Sequence, residues 1–337
     1  MTEFINPPFD EGIKKTAFKI FNELKSNYDV RVICRYGFVH ENIYVVKTNK
    51  LFLSNEIVTI IADFEPDALI YLPFQSSTFA TYLRLKVLTS FNYRSKTILF
   101  ALQPKIVKTW QGFLINYLKP LVAITPSLTL SATWDSYGIQ NFIVPLSTNI
   151  EVFKPVSKNR KHELRQKYGL DKHAFIVSHM GHLNERRNTE ALIPLQNSGM
   201  QVILVTSTSS PKSPGLNLNI GQKLRDEGVI VYDTFLECIE EIYQLSDAYV
   251  FPVIDENASI GMPLSILEAR ACGIPVVTTD YGSIKFFFDD DFGAIKYSTA
   301  DSLLENCSYF KLNSQLFIES KVHGINDLFM KVIQKLV

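Results

Sequence analysis

Cysteine is scarce: Cys34, Cys238, Cys272 and Cys307 are the only four in 337 residues. They are dispersed, without the paired spacing of a metal site or the density of a disulfide scaffold, and read as reduced, mostly buried thiols. No apolar run approaches the roughly 20 residues that a bilayer-crossing helix needs. The first residues include Glu3, Asp10 and Glu11 and no apolar signal region. A cytoplasmic protein is therefore expected, with peripheral attachment to the inner membrane face as the one membrane option. The sequons at Asn257 and Asn306 would matter only in a secreted chain. Neither a Gly-x-Gly-x-x-Gly fingerprint nor a P-loop occurs, which argues against dehydrogenases and P-loop ATPases. Net charge is zero, with 34 Lys+Arg against 34 Asp+Glu, and no nucleic-acid partner is indicated.

One stretch lacks acid altogether. No Asp or Glu lies between Asp67 and Asp135. Arg84, Lys86, Arg94, Lys96, Lys105, Lys108 and Lys119 fall there, interleaved with Tyr82, Phe91, Tyr93, Trp110, Phe113 and Tyr117. Basic residues beside amphipathic aromatics suit an anionic membrane surface or a lipid-phosphate acceptor, presented by residues 68–134. A solvated basic face is the plainer alternative.

What is present is α/β patterning. A composition of 46% hydrophobic and 20% charged residues describes a globular chain, long enough for two domains. Apolar strands alternate with amphipathic helices, which argues for parallel sheets. In the first half the pattern predicts strands near 30–36, 68–72, 97–102, 121–125 and 141–145. Helices are predicted near 13–26, 51–62, 77–90, 107–118 and 128–136. Pro155 and mixed charges mark a linker around 149–161. Strands near 174–180, 201–207, 229–233, 248–252 and 275–279 follow, and a helix near 313–335 ends the chain.

The richest segment is Gly261-Met-Pro-Leu-Ser-Ile-Leu-Glu-Ala-Arg-Ala-Cys-Gly273-Ile-Pro275-Val-Val-Thr-Thr279. Pro263 suits the first position of a helix, and Gly273 with Pro275 ends it. Val276 to Thr279 are β-branched and read as a strand buried on both faces. A helix N-terminus beside such a sheet offers free N–H groups to a phosphate. Glu268, further along the helix, can accept two hydroxyl hydrogen bonds from a ribose diol.

This segment resembles the donor-binding motif of retaining glycosyltransferases of family 4, which have the GT-B fold: two facing Rossmann-like domains with a cleft between them. Gly261, Pro263, Leu267, Glu268, Ala269, Ala271, Cys272, Gly273, Pro275, Val276 and Val277 carry the likeness. The resemblance implies that Glu268 binds the ribose and that the amides of Leu264 and Ser265 meet the diphosphate. It implies a metal-independent transfer from a UDP- or GDP-sugar, a co-substrate rather than a cofactor, to a glycan or lipid-linked acceptor. It further implies an acceptor-side domain over 1–150, joined by the terminal helix at 313–337, and a nucleotide-sugar domain over 151–312. The family's second glutamate, eight residues before Glu268, is Ile260 here, with Asp255 or Glu256 in the same loop as substitutes.

Three further positions belong to the same likeness. Gly181-His182-Leu-Asn184-Glu-Arg186-Arg187-Asn188 is similar to the family's Gly-Arg-Leu-x-x-x-Lys-Gly, with Arg187 at the lysine position and His182 at the arginine position. Arg187, with Arg186 as an auxiliary, is then the diphosphate clamp and, with Glu268, the catalytic pair. The loop Asn6-Pro-Pro-Phe-Asp10-Glu11-Gly12 resembles a glycine loop facing the donor, and there Gly12 has the freedom of φ > 0 and Glu11 lies on the acceptor side. Gln103 stands where many members have a histidine and cannot titrate. Asp289-Asp290-Asp291 reads as a solvated loop rather than a metal site. Because Ile260, His182 and Gln103 depart together, a degenerate nucleotide-sugar-binding protein stays open beside a GT-B epimerase or phosphorylase.

Overall fold

A computed structural model describes residues 1–91, 96–105, 107–206, 214–288, 293–313 and 326–336. The chain divides into two compact units. The first comprises Met1–Leu146, Ile260–Met262 and Ile325–Val337, the second Ser147–Ser259 and Pro263–Gly324.

In the first unit, β1 (Val32–Cys34) pairs parallel with β2 (Ile43–Val45). A four-stranded parallel sheet runs β3 (Ala68–Tyr71), β4 (Lys96–Phe100), β5 (Val122–Thr125) and β6 (Gln140–Ile143) in that order. The extended N-terminal segment bridges the two sheets, pairing Thr2 with Leu72 and Phe4 with Tyr36. Helix Gly12–Lys25 buries Ala17, Ile20, Phe21 and Leu24, the spacing of one helical face. The core gathers Leu69, Leu99 and Ala123 from the strands with Leu85, Leu88, Ile115 and Trp134 from the helices. Trp134 Nε1 donates to Tyr82 Oη at 2.8 Å, so a buried indole keeps its hydrogen bond.

Two departures from the sequence pattern have local causes. The helix predicted over 51–62 runs instead over Asn55–Phe64. Phe52 takes a left-handed φ of 66°, which a helix begun at 51 cannot contain, and Asn49 Oδ1 accepts from the Leu51 and Leu53 amides on either side of it. The linker predicted to reach 161 ends sooner, at helix Lys158–Lys167, whose start is capped by Ser157 Oγ accepting from the Arg160 amide. That helix buries only Leu164 and Arg165, so it shows almost no apolar period.

The second unit holds six parallel strands: β7 (Ile176–Met180), β8 (Gln201–Val205), β9 (Ile230–Tyr232), β10 (Ala248–Phe251), β11 (Val276–Thr278) and β12 (Ile295–Tyr297). Their order is β12-β11-β10-β7-β8-β9. The chain winds outward from β7 to β9, then returns to the other side of β7 and winds the opposite way. β7 and β10 are therefore neighbours at the point where the winding reverses. Neither β2 nor β12 shows in the sequence pattern; each buries a single residue, Ile43 and Ile295. At the C-terminus, helix Asn326–Leu336 buries Phe329, Val332, Ile333 and Leu336, and Phe329 stacks on Phe100 at 5.7 Å. Residues 314–325 of the predicted 313–335 helix lie outside the described residues.

Candidate functional site

Open parallel sheets bind ligands outside the carboxyl ends of their strands, where the winding reverses. In the second unit that is the end of β7 and β10. β7 runs into Gly181, and a short 3₁₀ turn at Glu185–Arg187 follows. Asn188 adopts a left-handed conformation, φ 51°, and its Nδ2 donates to Pro252 O at 3.1 Å. This ties the loop after β7 to the loop after β10.

Arg187 is buried there, with 8% of its surface exposed. A Cβ placed on Gly181 would lie 2.8 Å from His179 Nε2 and 3.5 Å from Arg187 Nη1. Glycine at 181 thus allows both side chains to close on the backbone. His179 Nδ1 donates to Val250 O at 2.8 Å, leaving Nε2 as the bare acceptor of a neutral ring. Burial, reinforced by the neighbouring Arg187 charge, pushes the His179 imidazole down to about 4. Burial also lowers the Arg187 pKa, against the opposing influence of Tyr281 and Tyr249. Both His179 Nε2 and Arg187 Nε are buried without a hydrogen-bond partner among the described residues. A desolvated guanidinium with an unused donor is costly in a folded chain unless an anion meets it.

Helix Leu264–Ala271 starts one residue later than the pattern predicts, with Pro263 in the capping position, extended, ψ 121°. Its first-turn amides, Leu264 and Ser265 among them, have no intrahelical acceptor. Ser265 is hydrogen-bonded to Tyr249, whose Oη reaches Met180 O at 3.4 Å. Tyr249 therefore links the start of this helix to the end of β7. Glu268 is buried, and its Oε2 accepts from Tyr243 Oη at 2.7 Å. Burial and this carboxylate hold the Tyr243 phenol well above its ordinary range. The Tyr243 and Tyr249 rings lie 5.7 Å apart, which completes a path from Glu268 to Arg187.

Gly181, Arg187, Ser265 and Glu268 are thus brought together within the second unit. Arg186 turns away: it is exposed, and its Nε lies 3.5 Å from Asp255 Oδ2. His182 is half-buried, and Glu256 is exposed. Tyr281 Oη accepts from the Ser259 amide at 2.9 Å and holds the loop that carries Glu256. In the first unit, Gln103 is buried, and its carbonyl accepts from the Ser76 and Ser77 hydroxyls. Glu11 precedes helix Gly12–Lys25 without a side-chain cap. Gly12 is not among the glycines of positive φ; a Cβ there would lie 3.1 Å from Ile260 Cδ1, so close approach is what the position requires. The Gly261 amide donates to Leu102 O, and a Cβ at 261 would collide with Ser127 Cβ at 2.7 Å. The Asp289-Asp290-Asp291 run lies outside the described residues. Sequence reasoning passed over His179, Tyr243, Tyr249 and Tyr281. Only His179, a titratable side chain inside an apolar strand, carried a signal.

The family described as Glycosyl transferases group 1 matches residues 177–306, from β7 to beyond β12. The chain carries a glycosyltransferase domain. EpsD of Bacillus subtilis (strain 168), provisionally named a glycosyltransferase, is 26% identical over 148 residues, 40% of this chain and 35% of that protein. WclY of Escherichia coli, an O-antigen biosynthesis glycosyltransferase, is 21% identical over 248 residues, 68% of each chain. Among solved structures, Anabaena HepE in complex with UDP and glucose superposes with a TM-score of 0.73 over 99% of this chain and 98% of that one, at 14% identity. The fold is GT-B. No helix among the described residues is long and apolar enough to cross a membrane.

Proposed function

We propose that the protein moves a sugar from a nucleotide-diphosphate sugar to a glycan or lipid-linked acceptor, with retention at the anomeric carbon and without a metal ion. The observation that carries this reading is Arg187, buried beside Gly181 with its Nε unpartnered at the reversal of the parallel sheet. There its guanidinium meets the leaving diphosphate, aided by the first-turn amides of Leu264 and Ser265, and stabilises the charge that grows as the glycosidic bond breaks. Fixed cationic donors in a water-poor site do the work for which other enzymes recruit a cation. Glu268 holds the ribose hydroxyls while sharing its carboxylate with Tyr243. With no titratable group at Gln103, the leaving phosphate itself accepts the acceptor's proton. The complex of HepE with UDP and glucose makes UDP the first nucleotide to test.

A thermal-shift panel of UDP, GDP, ADP and their sugars in EDTA, followed by NMR of the product anomer, tests the reading. One nucleoside diphosphate is expected to raise the melting temperature without metal, and the product keeps the donor's anomeric configuration. An inverted product, or stabilisation that appears only with a divalent ion, would contradict it.

A further inference from the structure

The acid-free stretch is not a uniform basic-aromatic face. Tyr82 is buried against Trp134, Arg84 pairs with Glu3 at 3.0 Å, and Tyr93 and Arg94 lie outside the described residues. Helix Thr109–Leu118 differs. It buries Ile115 alone, and on its inner side Gly112 fits against Tyr137, whose Oη lies 3.2 Å from where a Cβ would sit. Its large side chains point outward: Trp110 is 57% exposed, Phe113 64%, Tyr117 69%, and Leu121 just beyond the helix 79%. Trp110, Phe113, the 38%-exposed Leu114 and Tyr117 recur at i, i+3, i+4 and i+7, one stripe of the helix. A soluble helix places such a stripe inward. Exposed Lys108 and Lys119 bracket the helix in sequence, Lys119 Nζ donating to Tyr137 O at 2.8 Å, and the sequence offers no acid from residue 68 to 134.

We propose that this face docks on an anionic lipid bilayer, with Trp110, Phe113 and Tyr117 entering the headgroup region and the lysines over it. Aromatic residues with one apolar and one polar end settle at that depth, and basic flanks supply the attraction to anionic headgroups. Charge complementarity asks for an anionic partner, and the polar tips of Trp110 and Tyr117 beside apolar Phe113 suit the graded headgroup layer of a membrane. The proposal stands apart from the donor site, since every residue in it belongs to the first unit.

The test uses the full chain with vesicles of phosphatidylcholine alone or mixed with phosphatidylglycerol. Trp110 and Trp134 are the only tryptophans, and Trp134 is fully buried, so Trp110 reports on the surface. Binding to the mixed vesicles is expected, with a blue shift of Trp110 emission, quenching by brominated lipid and release by raised salt. Lys108→Glu should weaken the partition at least about five-fold, as about 1 kcal/mol per basic residue converts at 1.4 kcal/mol per decade. Phe113→Ser with Tyr117→Ser should abolish the quenching while melting temperature and UDP affinity stay unchanged. Equal partition to neutral vesicles, absence of binding to either, or a dimer that these substitutions dissociate would overturn the proposal.

Discussion

Strand β7 has a buried arginine at each end, and the two are opposites. Near its start, Arg165 is 4% exposed, with every nitrogen engaged. Its Nε donates to Leu245 O, its Nη1 to the Lys172 and Ala174 carbonyls, and its Nη2 to Asp247 at 2.6 Å. Asp247 in turn accepts from the Ile176 amide at 2.7 Å and pairs with Lys161 at 2.8 Å. Near its end, Arg187 is almost as deeply buried, faces tyrosines and a neutral histidine rather than a carboxylate, and leaves Nε unpaired. Burial alone does not separate structural charge from functional charge. The accounting of donors does. A fully bonded guanidinium locks a strand to its neighbours, and a partly unbonded one is held for something that arrives.

The largest effect should come from breaking the first end. Arg165→Leu leaves Asp247 with the Ile176 amide and Lys161 alone as its charge partner, and a loss of about 3–5 kcal/mol in urea denaturation is expected. A loss below about 1 kcal/mol would erase the structural half of the contrast. His179 comes next. Its folded pKa of about 4 lies below the ordinary value of 6.5. Between those values the unfolded chain binds a proton that the folded one refuses, so stability falls as pH drops through that window, on the order of 3 kcal/mol at most. His179→Gln removes this term, and the stability gap between wild type and variant should shift in the variant's favour from pH 7.5 to pH 4.5. A gap independent of pH would mean the ring is not held neutral. Smaller still, Tyr243→Phe withdraws one hydrogen bond from buried Glu268 and should cost about 1–3 kcal/mol, seen in the same denaturation assay. An unchanged midpoint would show that Glu268 does not depend on that phenol. Arg186→Ala should be nearly silent, within about 0.5 kcal/mol in stability, because its contact with Asp255 is exposed. A collapse of nucleotide affinity in that variant would move the clamp one residue.

Much of this architecture was legible because chemistry at fixed spacing leaves a local record. Gly261 to Thr279 spells a loop, a helix and a strand through proline, glycine and β-branched residues, and the helix and β11 fall within a residue or two of that reading. The unread parts depend on partners distant in sequence. Glu268 is 25 residues from Tyr243, and His179 is 71 from the carbonyl that fixes its tautomer. No periodicity announces such pairs. Helix Lys158–Lys167 was hidden for a related reason, since it is anchored by Arg165 rather than by an apolar stripe. In the acid-free stretch, composition marked the region, but only packing shows that helix Thr109–Leu118 alone turns its aromatics outward.

The central claim is that Arg187 is kept buried and incompletely bonded for a diphosphate. Calorimetric titration of UDP in EDTA, on wild type and Arg187→Leu, tests it most directly when paired with urea denaturation of both proteins without nucleotide. The account predicts about a 100-fold loss of affinity, the scale of one or two charge-assisted hydrogen bonds, in a variant at least as stable as wild type because an unpaired buried charge has gone. Unchanged UDP affinity, or a variant several kcal/mol less stable, would contradict it and make Arg187 a second Arg165.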